Sequence, residues 1–227
     1  MNRLSSQLGY WSALLSALTF FVFTICFVAI VFTAPPFLWT NLEDYIAYVH
    51  ANSRFFADLA RLCMLLFGPL FVILLNSIHD YAPIEKRILT RNSITFGIMF
   101  ATLICVHYFV QLSTVRINIQ KEQYAGIEHF LQANPDSAIS AINMLGWTLF
   151  LGLSSLFAAP VFSGNRLENV IKVAFQLNAC FCLVGGIAYI FEIRWLLFIT
   201  INFGMGGAVT TATIALAVLF KKIKHSK

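Results

Sequence analysis

The sequence predicts an all-α polytopic transmembrane bundle of six spans with two amphipathic segments on its outer face, and three observations carry that prediction. Uncharged apolar runs of membrane-crossing length recur along the chain, 59% of the 227 residues are hydrophobic against 11% charged, and lysine and arginine gather in alternate connections. A mean hydropathy of +0.79 leaves too little polar surface to face water, so lipid replaces a soluble core as the medium for the apolar faces. The whole chain, 1–227, reads as one transmembrane domain.

A helix needs about 20 apolar residues to cross the hydrocarbon. Runs at 10–33, 93–115, 137–164 and 195–220 meet that length outright. Two shorter ones, 56–78 and 170–191, complete the six, the first of them opening on a charged turn with Asp58 and Arg61. Only Glu192, Ile193 and Arg194 separate the last two spans, without a Gly or Pro. An unbroken helix over 173–220 would be about 70 Å long, so the chain is expected to reverse there. The first run is too long for a signal peptide, and Pro35 and Pro36 make a poor cleavage site, so it is expected to stay as a helix. No lipidation motif is visible.

Orientation follows from the basic residues. Arg3, Lys86, Arg87, Arg91, Arg166, Lys172 and the tail lysines Lys221, Lys222, Lys224 and Lys227 share the side of the termini, against Arg54, Arg61, Arg116, Lys121 and Arg194 opposite. The richer side is cytoplasmic by the positive-inside rule, which places both termini inside. A net charge of +5 spread between helices does not suit nucleic acid, and the tail reads as a membrane-surface anchor. Cys26, Cys63, Cys105, Cys180 and Cys182 all lie in apolar runs, odd in number, and read as small packing residues rather than a disulfide framework.

The two long connections, 34–54 and 117–136, both fall on the outer side. In the first, Leu42, Tyr45, Ile46 and Val49 recur at helical spacing, and Thr40 with Glu43 has capping-box spacing, which predicts an interfacial helix. In the second, Tyr124, Ile127, Phe130 and Leu131 are expected on one helical face that stops at Asn134 and Pro135. Trp39 and Trp195 suit the outer aromatic belt and Trp11 the inner one. Gly204, Ala208, Thr211 and Ala215 form a small-residue stripe in the last span, inviting close approach of a helix from this chain or from a second copy.

Polar groups within spans are the sequence's pointers to function, because hydrocarbon supplies them neither partner nor water. His107 lies about 13 Å inward of Arg116 on the third span, followed by Gln111. Asn143 and Asn202 are each about 10 Å below the outer ends of the fourth and sixth spans. Asp58, Arg61, Arg116, Glu192 and Arg194 cluster at the outer boundary. The expectation is an outward-facing pocket with the histidine at its floor and arginines at its rim, whose forks match a carboxylate or phosphate. His107 as cross-helix glue and Asp58 with Arg61 as an ordinary interfacial ion pair are the competing readings.

Several chemistries find no residues to carry them. No two intramembrane histidines share a depth for haem, and HExxH, GxSxG, CxxC and phosphate-loop patterns are missing, so no cofactor is expected. The stretches HYFVQLSTVR from His107, NPDSAISAINMLGW from Asn134 and LFAAPVF from Leu156 resemble a group of small uncharacterised bacterial six-span membrane proteins. That resemblance covers the third to fifth spans. It implies a bacterial plasma membrane and no activity. Three functions stay open: binding or transport of a small solute or lipid head group, an accessory or self-associating subunit, and a lipid-modifying enzyme with His107 or Asp58 as general base.

Overall fold

The computed structural model describes residues 2–225; Lys227 of the basic tail lies outside them. Among the described residues there is no strand, and six helices are long and apolar enough to cross a membrane: α1 (Arg3–Thr33), α3 (Phe55–Tyr81), α4 (Ile84–Gln120), α5 (Ala138–Val161), α6 (Arg166–Ile190) and α7 (Arg194–Lys224). A short helix, α2 (Leu42–Ala51), lies between the first two spans. The six long helices return the chain to the end of the bundle where it starts, the end predicted to be inner, with α2 at the opposite end, predicted to be outer. The helices overrun their apolar cores, α1 beginning at Arg3 and α4 covering 84–120, because intrahelical hydrogen bonds persist where hydropathy has already fallen. Asn2, Ser137 and Asn165 cap the starts of α1, α5 and α6 by accepting from backbone N–H groups, which satisfies donors that a helix start leaves free.

The predicted reversal at 192–194 is present, and its mechanism was not written in the composition. Glu192 takes a left-handed conformation, φ 55°, while Ile193 N–H donates to Ala188 O at 2.8 Å and Glu192 N–H to Tyr189 O at 3.2 Å. That is the Schellman pairing, normally built on glycine. Glu122 repeats it after α4, with φ 56° and Gln123 N–H on Asn118 O at 2.9 Å.

Neighbours in sequence pack as neighbours in space, and α1 closes the bundle against α3 and the inner part of α7. Parts of the inner half are tight, although an apolar hollow of about 680 Å³ lies between α6 and α7, lined by Val170, Val173, Leu177 and Ala208. An added Cβ on Gly9 would stand 2.8 Å from the ring of the fully buried Phe220. Polar groups there are matched across helices: Ser93 Oγ donates to Ser154 O at 2.8 Å and Ser154 Oγ to Ser93 O at 2.9 Å. Asn178 Nδ2 reaches Ser155 Oγ at 2.6 Å. Lys86 Nζ fastens the inner connections by donating to Pro160 O at 2.7 Å and Ser163 Oγ at 2.9 Å, and the Ser5 hydroxyl bonds Asp80. The small-residue stripe of α7 is used within the chain. A Cβ on Gly204 would sit 2.4 Å from the Phe181 ring of α6, and Ala208 and Ala215 are buried while Thr211 is exposed.

The outer end carries a cap with a small core of its own, formed by Tyr45, Val115, Ile119, Ile127 and Leu131. Its first half is the expected helix α2, although Asn41 rather than Thr40 is the N-cap, accepting from Asp44 N–H at 2.9 Å. Its second half differs from the single amphipathic helix expected over 124–131. Helix α4 continues to Gln120, and after the Glu122 turn only Ile127–Phe130 makes a turn of 3-10 helix. Ile127 and Leu131 point inward while Phe130 is 47% exposed, because one 3-10 turn cannot align four apolar residues on one side.

Three spans carry a π-helical turn, at Gln111–Val115 in α4, Gly146–Phe150 in α5 and Ile199–Met205 in α7. Such a turn inserts a residue into the i to i+4 ladder and rotates the side chains beyond it. Gln111, Trp147 and Asn202 fall in these turns, and each bears on the outer half of the bundle.

Candidate functional site

The outer parts of α1 and α7 are not paired as their inner parts are, and a groove runs between them. Its upper hollow, about 390 Å³, is roofed by Phe37, Tyr45 and Tyr48 of the cap and carries Arg54, Arg61 and Gln132 on its wall. Its lower hollow, about 590 Å³, is walled by Phe20, Met64, Asn143, Trp147 and Met205. Phe23, Tyr108 and Asn202 line both, so the two hollows adjoin. The groove opens sideways: Phe21, Phe27 and Phe203 on its lips are 61%, 43% and 68% exposed, on surface that faces acyl chains once the six spans lie in lipid.

The floor is closed. Trp147 stacks on Phe67 at 6.0 Å between centroids, meets Phe100 edge-on at 4.9 Å and touches Phe20 at 6.2 Å. Phe71 continues this cluster, stacked on Phe67 at 5.7 Å. Interlocked rings of this kind leave no void for a solute to pass to the inner half.

At the mouth, the N-cap and first two turns of α3 present three charges. Arg61 is committed twice, Nη1 donating to Asp58 Oδ1 at 2.8 Å and Nε to Gln132 Oε1 at 3.0 Å. Arg54 Nη2 lies 3.7 Å from Asp58 Oδ1, beyond hydrogen-bond reach, and is buried with no acceptor. Asp58 itself does not line the groove; it faces a separate shallow hollow of about 300 Å³ beside His50 and Arg116. Among the described residues, the charged ones on the groove wall are therefore two arginines.

The residues singled out in the sequence divide between this groove and other places. Arg61, Asn143 and Asn202 line it, with Asp58 behind Arg61. His107 is fully buried, and its Nδ1 donates to Ile139 O at 3.1 Å, tying α4 to the start of α5. That bond leaves Nε2 as an unpaired acceptor. Gln111, also fully buried, clamps the cap: Nε2 donates to Phe130 O at 2.6 Å and Oε1 accepts from Gln132 N–H at 3.1 Å. Arg116 is exposed, folded back with Nε on Leu112 O at 2.9 Å, and stands on the shallow hollow instead. Glu192 and Arg194 flank another hollow of about 430 Å³ near Asp136 and Tyr189.

Arg54, Tyr108, Gln132 and Trp147 are site residues that sequence reasoning passed over. Arg54 counted only as a flanking charge, and Gln132 and Trp147 reach the groove through a loop path and a π turn that no periodicity encodes. Among the described residues, no three His, Cys, Asp or Glu side chains gather in a way that could hold a metal ion. Comparison with known proteins adds nothing to the geometry: no family model, no curated protein and no solved structure matches the chain.

Proposed function

We propose that this protein binds a membrane amphiphile, drawn sideways from the outer leaflet into the groove between α1 and α7. The observation that carries the reading is the polarity of that groove. Arginine, glutamine and asparagine occupy its upper part, aromatic and methionine side chains its lower part, and its long side is open to lipid. A head group and a chain would each meet matching surface. The lateral opening favours a lipid-like molecule over a small water-soluble solute, and the interlocked rings below Trp147 favour holding over passage to the inner side. This reading takes the less basic end of the bundle as the non-cytoplasmic one.

Filling the groove tests it. Gly206 lines the lower hollow with helical φ −57°, and an added Cβ would meet Phe20 at an ordinary 3.7 Å. The Cβ of Gly206→Leu therefore fits, and the rest of the side chain takes up space in the groove. In native mass spectrometry from nanodiscs, the wild-type chain is expected to retain an amphiphile and Gly206→Leu to lose it about tenfold, the worth of one well-packed contact region, with unchanged melting. Equal retention by both would remove the proposal.

A further inference from the structure

Resting on that reading, we infer that the amphiphile is a single-chain fatty carboxylate, with Arg54 as the residue that holds its carboxylate. The first ground is charge. Among the described residues the groove wall holds two guanidinium groups and no acid, while the carboxylates of Asp58 and Glu122 face the shallow hollow outside, which Arg54 also borders. Arg54, Arg61 and Asp58 together carry one net positive charge, which a singly charged anion balances. Two guanidinium groups share the single carboxylate of Asp58, and holding the surplus cation in a low-dielectric site is costly, so the site favours an anion.

Hydrogen bonding supplies the second ground. Arg61 already serves Asp58 and Gln132, whereas Arg54 Nη2 is enclosed with no acceptor. A planar fork with one enclosed N–H group lacking a hydrogen-bond acceptor, and Asp58 no nearer than 3.7 Å, suits a carboxylate, which arginine binds through two parallel N–H groups. Space supplies the third ground. Phe37, Tyr45 and Tyr48 line the upper hollow together with the arginines and give it an aromatic boundary. Below it, the lower hollow of about 590 Å³ is of the size that encloses one small ligand, which fits one chain better than two.

Trp147 on the groove wall gives the experiment its reporter. In a full-length chain carrying Trp11→Phe, Trp39→Phe and Trp195→Phe, placed in phosphatidylcholine nanodiscs, Trp147 fluorescence is titrated with stearate brominated mid-chain. Its methyl ester and a phosphatidylcholine with the same brominated chain are titrated in parallel. The expected result is saturable quenching by the carboxylate, and at least about tenfold weaker quenching by the ester, as for loss of a charge-assisted hydrogen bond. Arg54→Gln is expected to erase that difference, while Arg54→Lys, which keeps the charge, retains part of it. Saturable quenching by acid and ester alike would overturn the carboxylate assignment and leave the groove reading standing. Equal quenching by the diacyl lipid would overturn the single-chain assignment. A preference that survives Arg54→Gln would overturn the role of Arg54. No saturable quenching by any of the three would remove the groove reading itself.

Discussion

In the inner half of the bundle Ser93, Ser154, Asn178 and His79 each find a hydrogen-bond partner on another helix, His79 with Thr90 at 2.5 Å. In the outer half Arg54 Nη2, His107 Nε2 and Asn143 Oδ1 are buried with none; one further orphan, Ser16 Oγ, lies near the middle of α1. The same contrast holds for packing. Inner connections are short and fastened, and Gly9 admits Phe220 at contact distance. The outer half has π turns in three spans, two glutamates in left-handed turns and a groove in its wall. A buried polar group left unpaired costs free energy, and π turns gather at functional sites. Both halves carry a hollow, the inner one apolar and between α6 and α7; the comparison teaches that the inner half matches its buried polar groups across helices, whereas the outer half leaves Arg54 Nη2, His107 Nε2 and Asn143 Oδ1 without hydrogen bonds around its polar groove.

Removing one ring from each half sharpens that comparison with the largest expected effect. Phe220→Ala opens a cavity beside Gly9 and is expected to cost about 2 kcal/mol, the packing share of a core Phe truncation, since lipid tails are as apolar as the core. Phe203→Ala, on the exposed lip of the groove, is expected to cost almost nothing. Reversible unfolding in mixed micelles measures both, and equal losses would break the comparison.

A smaller effect is expected from Gln111→Leu. It strands Phe130 O and Gln132 N–H, which Gln111 alone bonds from within a span, at a cost of about 1–2 kcal/mol. Limited proteolysis should then cut the 121–134 segment faster while the spans stay intact. An unchanged cutting rate would mean that the cap holds without its clamp.

The smallest effect is a gain. Glu192→Gly relieves a left-handed conformation at the α6–α7 turn and is expected to stabilise the fold by about 0.5 kcal/mol, the strain relieved less the added freedom of the unfolded glycine. The same unfolding titration reads it, and a destabilised Glu192→Gly would show that the glutamate side chain contributes to the turn.

The sequence made the spans legible because hydrocarbon imposes a length on every apolar run. Chain length alone located the reversal at Glu192, since no glycine marks it. The 116–120 extension of α4 was not legible, being polar yet helical, and it displaced the helix expected over 124–131. The candidate site was legible in part. Asn202 lines both hollows, with Arg61 on the upper one and Asn143 on the lower. His107 and Gln111 turn to Ile139 and to the cap backbone, contacts between distant segments that spacing on one helix cannot reveal. Arg54 differed from other flanking cations only through its placement under the cap.

The most direct test of the central claim is photolabelling in nanodiscs with a single-chain amphiphile carrying a diazirine in its tail. The account predicts saturable adducts at 20–27 of α1 and 201–211 of α7, displaced by unlabelled amphiphile. Adducts spread over lipid-facing residues such as Ile98 and Phe109, rising without saturation in proportion to exposure, would contradict it.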